Sequence, residues 1–375
     1  MLKVAHLTSV HPRNDNRIFL KECSSLSEAG YSVSFIVADG KGDEDKNGIT
    51  IYDVGASGGR LGRMFKTTKK IIAKAIALDA TVYHLHDPEL LPWAAKLKRL
   101  GKIVIFDSHE DYPADILTKP YLGKIVRNVV SKCFAAYERK VCRKLDYIVC
   151  ATSTICNKFT KMGYLAEDIN NYPRLSELEN SADWSKDRSL VCYMGAITPI
   201  RGVWELVEAM RFVKSNARLA IAGVFSDDNI ERHCKESPGW RKVEDAGYVS
   251  RNEVRDIMSR SAAGLVTYLP APNHVDSQPN KLFEYMSAGI PVIGSFFPLW
   301  REIIEGNHCG ICIDPTNPEA IAAAIDYCFT NQAEAREMGL RGKDAVINKY
   351  NWSYEYPKLL AIYEKLLRKV KNNGL

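Results

Sequence analysis

The chain reads as an α/β protein made of two doubly wound domains with parallel sheets. Three observations predict this. Short apolar strand-like runs alternate with amphipathic helical stretches nearly throughout. Several of those runs are continuously apolar, as strands covered on both faces must be. The alternation fails once, between about residues 167 and 188, where polar composition, Pro173 and weak periodicity mark a linker.

In the first half, strands are expected over residues 4–7, 33–38, 49–54, 81–84, 103–106 and 147–151. Helices over about 16–29, 62–78, 88–100, 121–144 and 153–162 separate them. A second series of strands follows at 190–194, 219–222, 243–247, 263–267, 292–293 and 311–313, with helices between. An amphipathic helix near 352–370 lies beyond the second sheet. Doubly wound domains bind ligands beyond the carboxyl ends of their strands. Two of them joined by a linker predict a site in the cleft between.

Length and composition agree with this reading. A chain of 375 residues is longer than one core usually supports. With 46% hydrophobic and 26% charged residues it has the make-up of an ordinary globular protein. No run reaches the eighteen apolar residues of a membrane-spanning helix. The start, Met-Leu-Lys-Val-Ala-His-Leu-Thr, reads as a strand rather than a signal peptide, so a cytoplasmic location is expected. Ten scattered cysteines sit mostly in apolar contexts and read as small hydrophobes of a reducing compartment. Cys309-Gly-Ile-Cys312 lacks the second pair or helix start that a zinc or redox role needs.

The net charge of +6 is uneven. Residues 1–175 hold 27 Lys and Arg against 19 Asp and Glu, and the rest 24 against 26. Two basic stretches stand out, 60–74 and 119–144. The second carries an apolar face of Ile125, Val129, Val130 and Phe134. That combination suits an anionic lipid surface, where each basic residue contributes about 1 kcal/mol; solvated helix faces are the plainer account.

The chemistry concentrates in Gln278-Pro-Asn-Lys-Leu-Phe-Glu-Tyr-Met-Ser-Ala-Gly-Ile-Pro-Val-Ile293. Pro279 and Asn280 open a short helix, Asn280 as a candidate cap, and Gly289 stops it. Such a start offers free N–H groups and a positive dipole end to an anion. Lys281 and Glu284, three apart, share a face. A cation for phosphate oxygens beside an acceptor for hydroxyls suggests a sugar-nucleotide site.

With these residues goes a resemblance. The chain resembles the retaining glycosyltransferases of family 4 (glycosyl transferases group 1), whose GT-B fold sets two Rossmann-like domains across a cleft. It is carried by the stretch just quoted and by Tyr193-Met-Gly-Ala-Ile-Thr-Pro-Ile-Arg-Gly202, Leu219-Ala-Ile-Ala-Gly223 and Ala246-Gly-Tyr-Val249. The first half adds His11-Pro-Arg-Asn-Asp-Asn-Arg-Ile-Phe-Leu-Lys-Glu22, His84-Leu-His-Asp-Pro-Glu89 and Asp107-Ser-His-Glu110. The resemblance implies an acceptor domain over 1–170, completed by the C-terminal helix 353–375. A donor domain over 188–352 then follows a linker at 171–187.

It also implies roles. Glu284 matches the second acid of a Glu-x7-Glu pair and touches ribose; eight residues earlier the first acid is replaced by Asp276, one methylene shorter. Arg201 and Lys281 neutralise the departing diphosphate, and a second base common in that loop is replaced here by Ala196 and Ile197. Gly195 and Gly223 let backbone approach the donor, while Tyr248, Val249, Asn280 and Leu282 complete its contacts. His109 matches a histidine near the reacting sugar, holding hydroxyls or serving as acceptor base. His11, Asp15, Arg17, His86, Glu89 and Glu110 line the acceptor side; Asp15 and Asp87 can instead cap helices.

The implied reaction moves a sugar from a nucleotide donor, UDP-linked in preference to GDP-linked, to a hydroxyl of a lipid-linked saccharide. It requires no cofactor and no divalent metal, and no Asp-x-Asp stands at a cleft-like position. Three other classes compete. A dehydrogenase of similar fold needs a Gly-x-Gly-x-x-Gly that neither domain supplies. A sugar-nucleotide epimerase shares the fold and would turn over donor without acceptor. A nucleic-acid binder would explain the basic half, but its basic runs lack interleaved aromatics, so no nucleic acid is expected.

Overall fold

The computed structural model describes residues 2–56, 58–119, 121–175, 184 and 188–372. They form two compact units, Met1–Asn171 with Trp352–Leu375 and Tyr172–Asn351. Most of the expected linker lies outside the described residues.

The first unit is built on eight strands: β1 (Lys3–Leu7), β2 (Ser32–Val37), β3 (Glu44–Lys46), β4 (Ile49–Asp53), β5 (Val82–Leu85), β6 (Ile103–Ser108), β7 (Tyr147–Cys150) and β8 (Ala166–Asp168). Their order is β3-β4-β2-β1-β5-β6-β7-β8, parallel except for the β3–β4 pair. Alternate residues of each strand feed different cores, because successive side chains point to opposite faces. On β1, Val4 joins Phe19, Ile105 and Leu366, whereas Ala5 and Leu7 join Ile72, Leu91 and Phe106. His6 therefore stands on the Val4 side, facing the helical turns Ile18–Cys23 and Ser24–Glu28. The C-terminal helix Trp352–Asn372 covers the same face: Leu359, Ile362, Tyr363 and Leu366 enter that core, and Trp352 Nε1 donates to Ser25 Oγ at 2.8 Å.

The second unit has six parallel strands: β9 (Leu190–Met194), β10 (Arg218–Ala222), β11 (Val243–Gly247), β12 (Ser261–Val266), β13 (Val292–Ser295) and β14 (Gly310–Ile313). They lie in the order β11-β10-β9-β12-β13-β14. The central β9 alternates in the same way, Val191 and Tyr193 into one core, Cys192 and Met194 into the other.

Several elements differ from the sequence reading. β3 and β8 are short polar edge strands without an apolar signature. The helix expected from 121 begins at Lys124, behind a separate short helix Tyr112–Leu117. On that helix the exposed apolar residues are Ile125, Val126, Val129 and Val130. Phe134 instead turns toward Tyr112 and Tyr137. All ten cysteines are free thiols, seven of them buried.

Candidate active site

In the second unit the strand ends β9 and β10 are brought together by glycine. A Cβ on Gly223 would run into the carbonyl oxygen of Gly195, so only glycine fits where the two strand ends meet. Beyond Gly195 the loop reaches a single 3₁₀ turn, Pro199–Arg201. Gly202 then takes a left-handed φ of 70° to start the helix Val203–Ala209. This positions Arg201, whose Nη1 donates to the Ala196 carbonyl at 3.2 Å and whose guanidinium lies 5.3 Å from the Tyr268 ring centre.

The helix Asn280–Ala288 supplies the other cation. Pro279 occupies its N-cap with no side-chain hydrogen bond. Asn280 is thus the first helical residue rather than the cap. Gly289 closes the helix at φ 73°, as read. Tyr285 fixes it to the sheet: its ring packs where Gly264 of β12 leaves no side chain, and its hydroxyl accepts the Met194 N–H at 3.0 Å.

Lys281 is 6% exposed and its ammonium has no hydrogen-bond partner. It sits 3.6 Å from the centre of the Tyr193 ring and 5.4 Å from that of Tyr268. Aromatic faces attract a cation but do not replace a counter-charge. Burial first, and then Arg201, push its pKa well below the usual lysine range, with Glu284 opposing. Thr198 Oγ1, Thr267 Oγ1 and Gln278 Oε1 are likewise buried without partners. Two cations and unmet polar groups around a helix start make a receptor for an anion.

The remaining donor-side residues are distributed around this centre. Glu284 is partly exposed, its Oε1 3.3 Å from Arg251 Nη1. Tyr248 is 87% exposed just beyond β11, with Val249 packed against the core. Asp276 is exposed on the turn before the helix. Leu282 is wholly buried and its N–H bonds the Pro279 carbonyl, so neither its side chain nor its N–H is offered to a ligand. Tyr193 and Tyr268, the rings beside the lysine, carry no signal of that role in the sequence. Tyr193 lay inside a quoted motif, but nothing in the sequence tells which ring a lysine rests on.

In the first unit, His109 follows β6 with 13% of its side chain exposed. Its Nε2 lies 3.1 Å from Asp107 Oδ2 and 3.3 Å from His86 Nδ1. His11 packs on it at 4.8 Å between ring centres and is held by Asp15, Nδ1 to Oδ2 at 3.1 Å. Burial works against protonation of His11, but Asp15, Asp87 and Asp107 outweigh it and raise its pKa. Glu89 is clamped by Arg63 at 2.7 Å and takes a bond from Ser9 Oγ, and Glu110 is exposed.

Two acceptor-side assignments are corrected by burial. Arg17 is 4% exposed, gripping Asp107 with two bonds of 2.8 Å, Glu22 at 3.1 Å and the Ile169 carbonyl. It is an internal strut. His86 is fully buried against His6 and Asp107 and reaches a ligand only through His109. The capping alternatives also resolve. Asp15 does cap, accepting the N–H groups of Arg17 and Ile18 at 2.9 and 2.8 Å. Asp87 does not; it binds Thr8 and Ser9 at the end of β1.

Fold and motifs together define a class. Residues 16–170 match the model of Glycosyltransferase Family 4, and residues 176–345 that of Glycosyl transferases group 1. The chain belongs to this glycosyltransferase family and has the GT-B fold. Among curated relatives it is 22% identical over 280 residues to an uncharacterized glycosyltransferase, MJ1607, of Methanocaldococcus jannaschii, covering 66% of this chain and 70% of that one. It is 23% identical over 175 residues to the amylovoran biosynthesis glycosyltransferase AmsK of Erwinia amylovora, covering 45% of this chain and 43% of that protein. Its fold is similar to sucrose-phosphate synthase of Thermosynechococcus elongatus, with a TM-score of 0.80 at 17% identity over 98% and 100% of the chains. The same holds for Anabaena HepE in complex with UDP-glucose, at 0.73 and 12% over 97% and 100%.

Proposed function

We propose that this chain transfers a sugar from a UDP-linked donor to a hydroxyl of a lipid-linked saccharide, in the assembly of a cell-surface polysaccharide, with retention at the anomeric carbon. The observation that carries the donor half is Lys281, a buried ammonium without a partner beside Arg201 and an uncapped helix start. A diphosphate supplies the missing counter-charge, and its negative charge grows as the glycosidic bond breaks, so these groups bind the transition state more tightly than the donor. The departing phosphate then accepts the acceptor's proton on the same face of the sugar. Arg201 and Lys281 do the work that a divalent ion does elsewhere, so no metal or cofactor is required at the donor diphosphate. Glu284 holds ribose, Asp276 sugar hydroxyls, and Tyr248 and Val249 the base through their backbone. On the acceptor side His109, held by Asp107, presents its other ring nitrogen to a hydroxyl, with His11, Glu89 and Glu110 near it. The UDP preference and the polysaccharide setting are supported by the UDP-glucose complex of HepE and by the amylovoran relative.

The lipid-linked acceptor is supported by a mixed surface on the first unit. Leu61, Phe65, Ile125, Val126 and Val129 are exposed among Arg60, Lys66, Lys124 and Arg127. Arg60 stacks 4.1 Å from the Tyr121 ring centre, joining the two basic stretches. No helix among the described residues is long and apolar enough to cross a membrane, so docking at the cytoplasmic face is the proposed contact.

A thermal-shift panel of UDP-, GDP-, CDP- and dTDP-sugars tests the donor reading. Stabilisation by a UDP-sugar, lost in Arg201→Ala and Glu284→Ala, is the expected result; no stabilisation by any of the four sinks it. Donor turnover to an isomer without acceptor would favour the epimerase. Co-sedimentation with anionic vesicles, weakened by Phe65→Asp and by salt, is expected of the docking surface; equal binding to neutral vesicles would reject it.

A further inference from the structure

The first unit holds a second cluster that donor and acceptor chemistry leave unused. His6 of β1 and His84 of β5 are register partners, so their imidazoles stand side by side on one face of the sheet. His86, two residues on, shares that face. Glu22 descends onto them from the turn Ile18–Cys23. All four are completely buried, and each offers a ligand atom within 4.8 Å of the others.

Glu22 is the informative residue. Its Oε2 lies 3.9 Å from His6 Nδ1, 4.0 Å from His84 Nδ1 and 3.9 Å from His86 Nε2. One carboxylate oxygen is thus equidistant from three imidazole nitrogens, yet has no hydrogen-bond partner. Arg17 faces this carboxylate at 3.1 Å and Asp107 at 2.8 Å, so one guanidinium serves two buried acids.

We propose that His6, Glu22, His84 and His86 bind a divalent transition-metal ion of the zinc type in a closed, structural site. Three imidazoles and a carboxylate are a donor set suited to zinc. Outer partners are in place: the second nitrogen of His86 lies 3.3 Å from Asp107 Oδ2, and that of His6 lies 3.3 Å from the Tyr363 hydroxyl. Tetrahedral zinc with bonds of about 2.0–2.1 Å sets its ligand atoms about 3.3 Å apart. The His6 Nδ1–His86 Nε2 pair, now 2.8 Å and hydrogen-bonded, opens by about 0.5 Å while Glu22 moves in by a similar amount. The proton between those two rings moves from Nδ1 to Nε2 of His6 as the ion enters, so the ring stays neutral. Tyr363, now 2.9 Å from His84 Nδ1, gives up that contact and accepts from His6 instead. With all four positions filled by protein, the ion ties β1, β5 and the Glu22 turn together rather than taking part in transfer.

The test uses the full chain, produced without a polyhistidine tag in zinc-supplemented medium. Elemental analysis after dialysis is expected to find about one zinc per chain, falling near zero in Glu22→Gln and His84→Asn and unchanged in the exposed His308→Asn. Because those core variants can fail to fold, wild-type protein stripped with a strong chelator provides a second measurement. Added Zn2+ should raise its Tm by roughly 5 °C at saturation, and added Co2+ should show the visible band of a tetrahedral site. Stripped protein that gains neither stability nor a Co2+ band overturns the proposal, and Glu22 is then neutralised by a proton. Zinc retained in both core variants but lost in His308→Asn overturns it equally, as a surface site.

Discussion

At the scale of single residues, the donor side rests on a lysine kept in an unfavourable place. Lys281 has a folded pKa well below the ordinary value of roughly 10.4, because burial and Arg201 disfavour its charge. Between those two values the unfolded chain binds a proton that the folded one lacks, so stability rises with pH across that window. A bound diphosphate reverses the shift. Nucleotide binding should take up a proton there and weaken as pH rises. Lys281→Met should raise Tm by removing a buried amine that gives up its proton on folding, abolish the proton uptake, and weaken nucleoside-diphosphate binding about 10–100-fold. Titration calorimetry in buffers of different ionisation enthalpy decides this; a buffer-independent enthalpy for the wild type speaks against it. Arg17 is the opposite case. Its expected acceptor contact follows from its place in the loop after β1 and from the family resemblance, but its partners Asp107 and Ile169 lie 90 and 152 residues away. Arg17→Met strands two buried carboxylates and should cost about 3–5 kcal/mol. Chemical denaturation would show that loss; intact stability with a raised acceptor KM would restore the contact reading. Lys281 was legible because local signals mark a helix start. The histidine–carboxylate core was not, since only the sheet order brings positions 6, 22, 84 and 86 together.

At the scale of elements, legibility followed burial. The fully buried strands β5, β6, β7, β9, β12 and β13 are all marked by apolar runs. The two missed strands are edges, where half the hydrogen bonds and most of the apolar demand are absent. β3 did carry a signal that went unused: Asn47-Gly48, with φ of 53° and 73°, is the two-residue turn that joins it to β4. The glycine after Arg201 was legible as a helix start, but not as a steric necessity. Gly202 has φ 70°, and a Cβ there would run into the Thr267 carbonyl oxygen beyond β12. Gly202→Ala should therefore cost about 1–3 kcal/mol through strain and displacement of the turn. Because that turn carries Arg201, the substitution should also raise the KM for the donor. Lowered stability with an unchanged donor KM would separate the turn from the site.

At the scale of the whole molecule, the chain closes its first domain with its last helix. The sequence places Trp352–Asn372 after the second sheet, yet its apolar stripe lies in the core built around β1. Tyr363 meets His84 and His6, residues 279 and 357 positions away. The stripe was readable as amphipathic, but which core it enters depends on topology and came only from the family resemblance. The consequence is testable by calorimetry, since each unit has its own core and can unfold as its own transition. Leu359 is completely buried in the first unit, so Leu359→Ala should cost about 2–5 kcal/mol there. The transition it lowers should be the one that a UDP-sugar leaves unmoved, because the proposed donor groups all belong to Tyr172–Asn351. Donor binding by the variant should stay at wild-type strength. If instead Leu359→Ala lowers the transition that the nucleotide raises, the C-terminal helix stabilises the donor unit and the division of the chain into these two units fails.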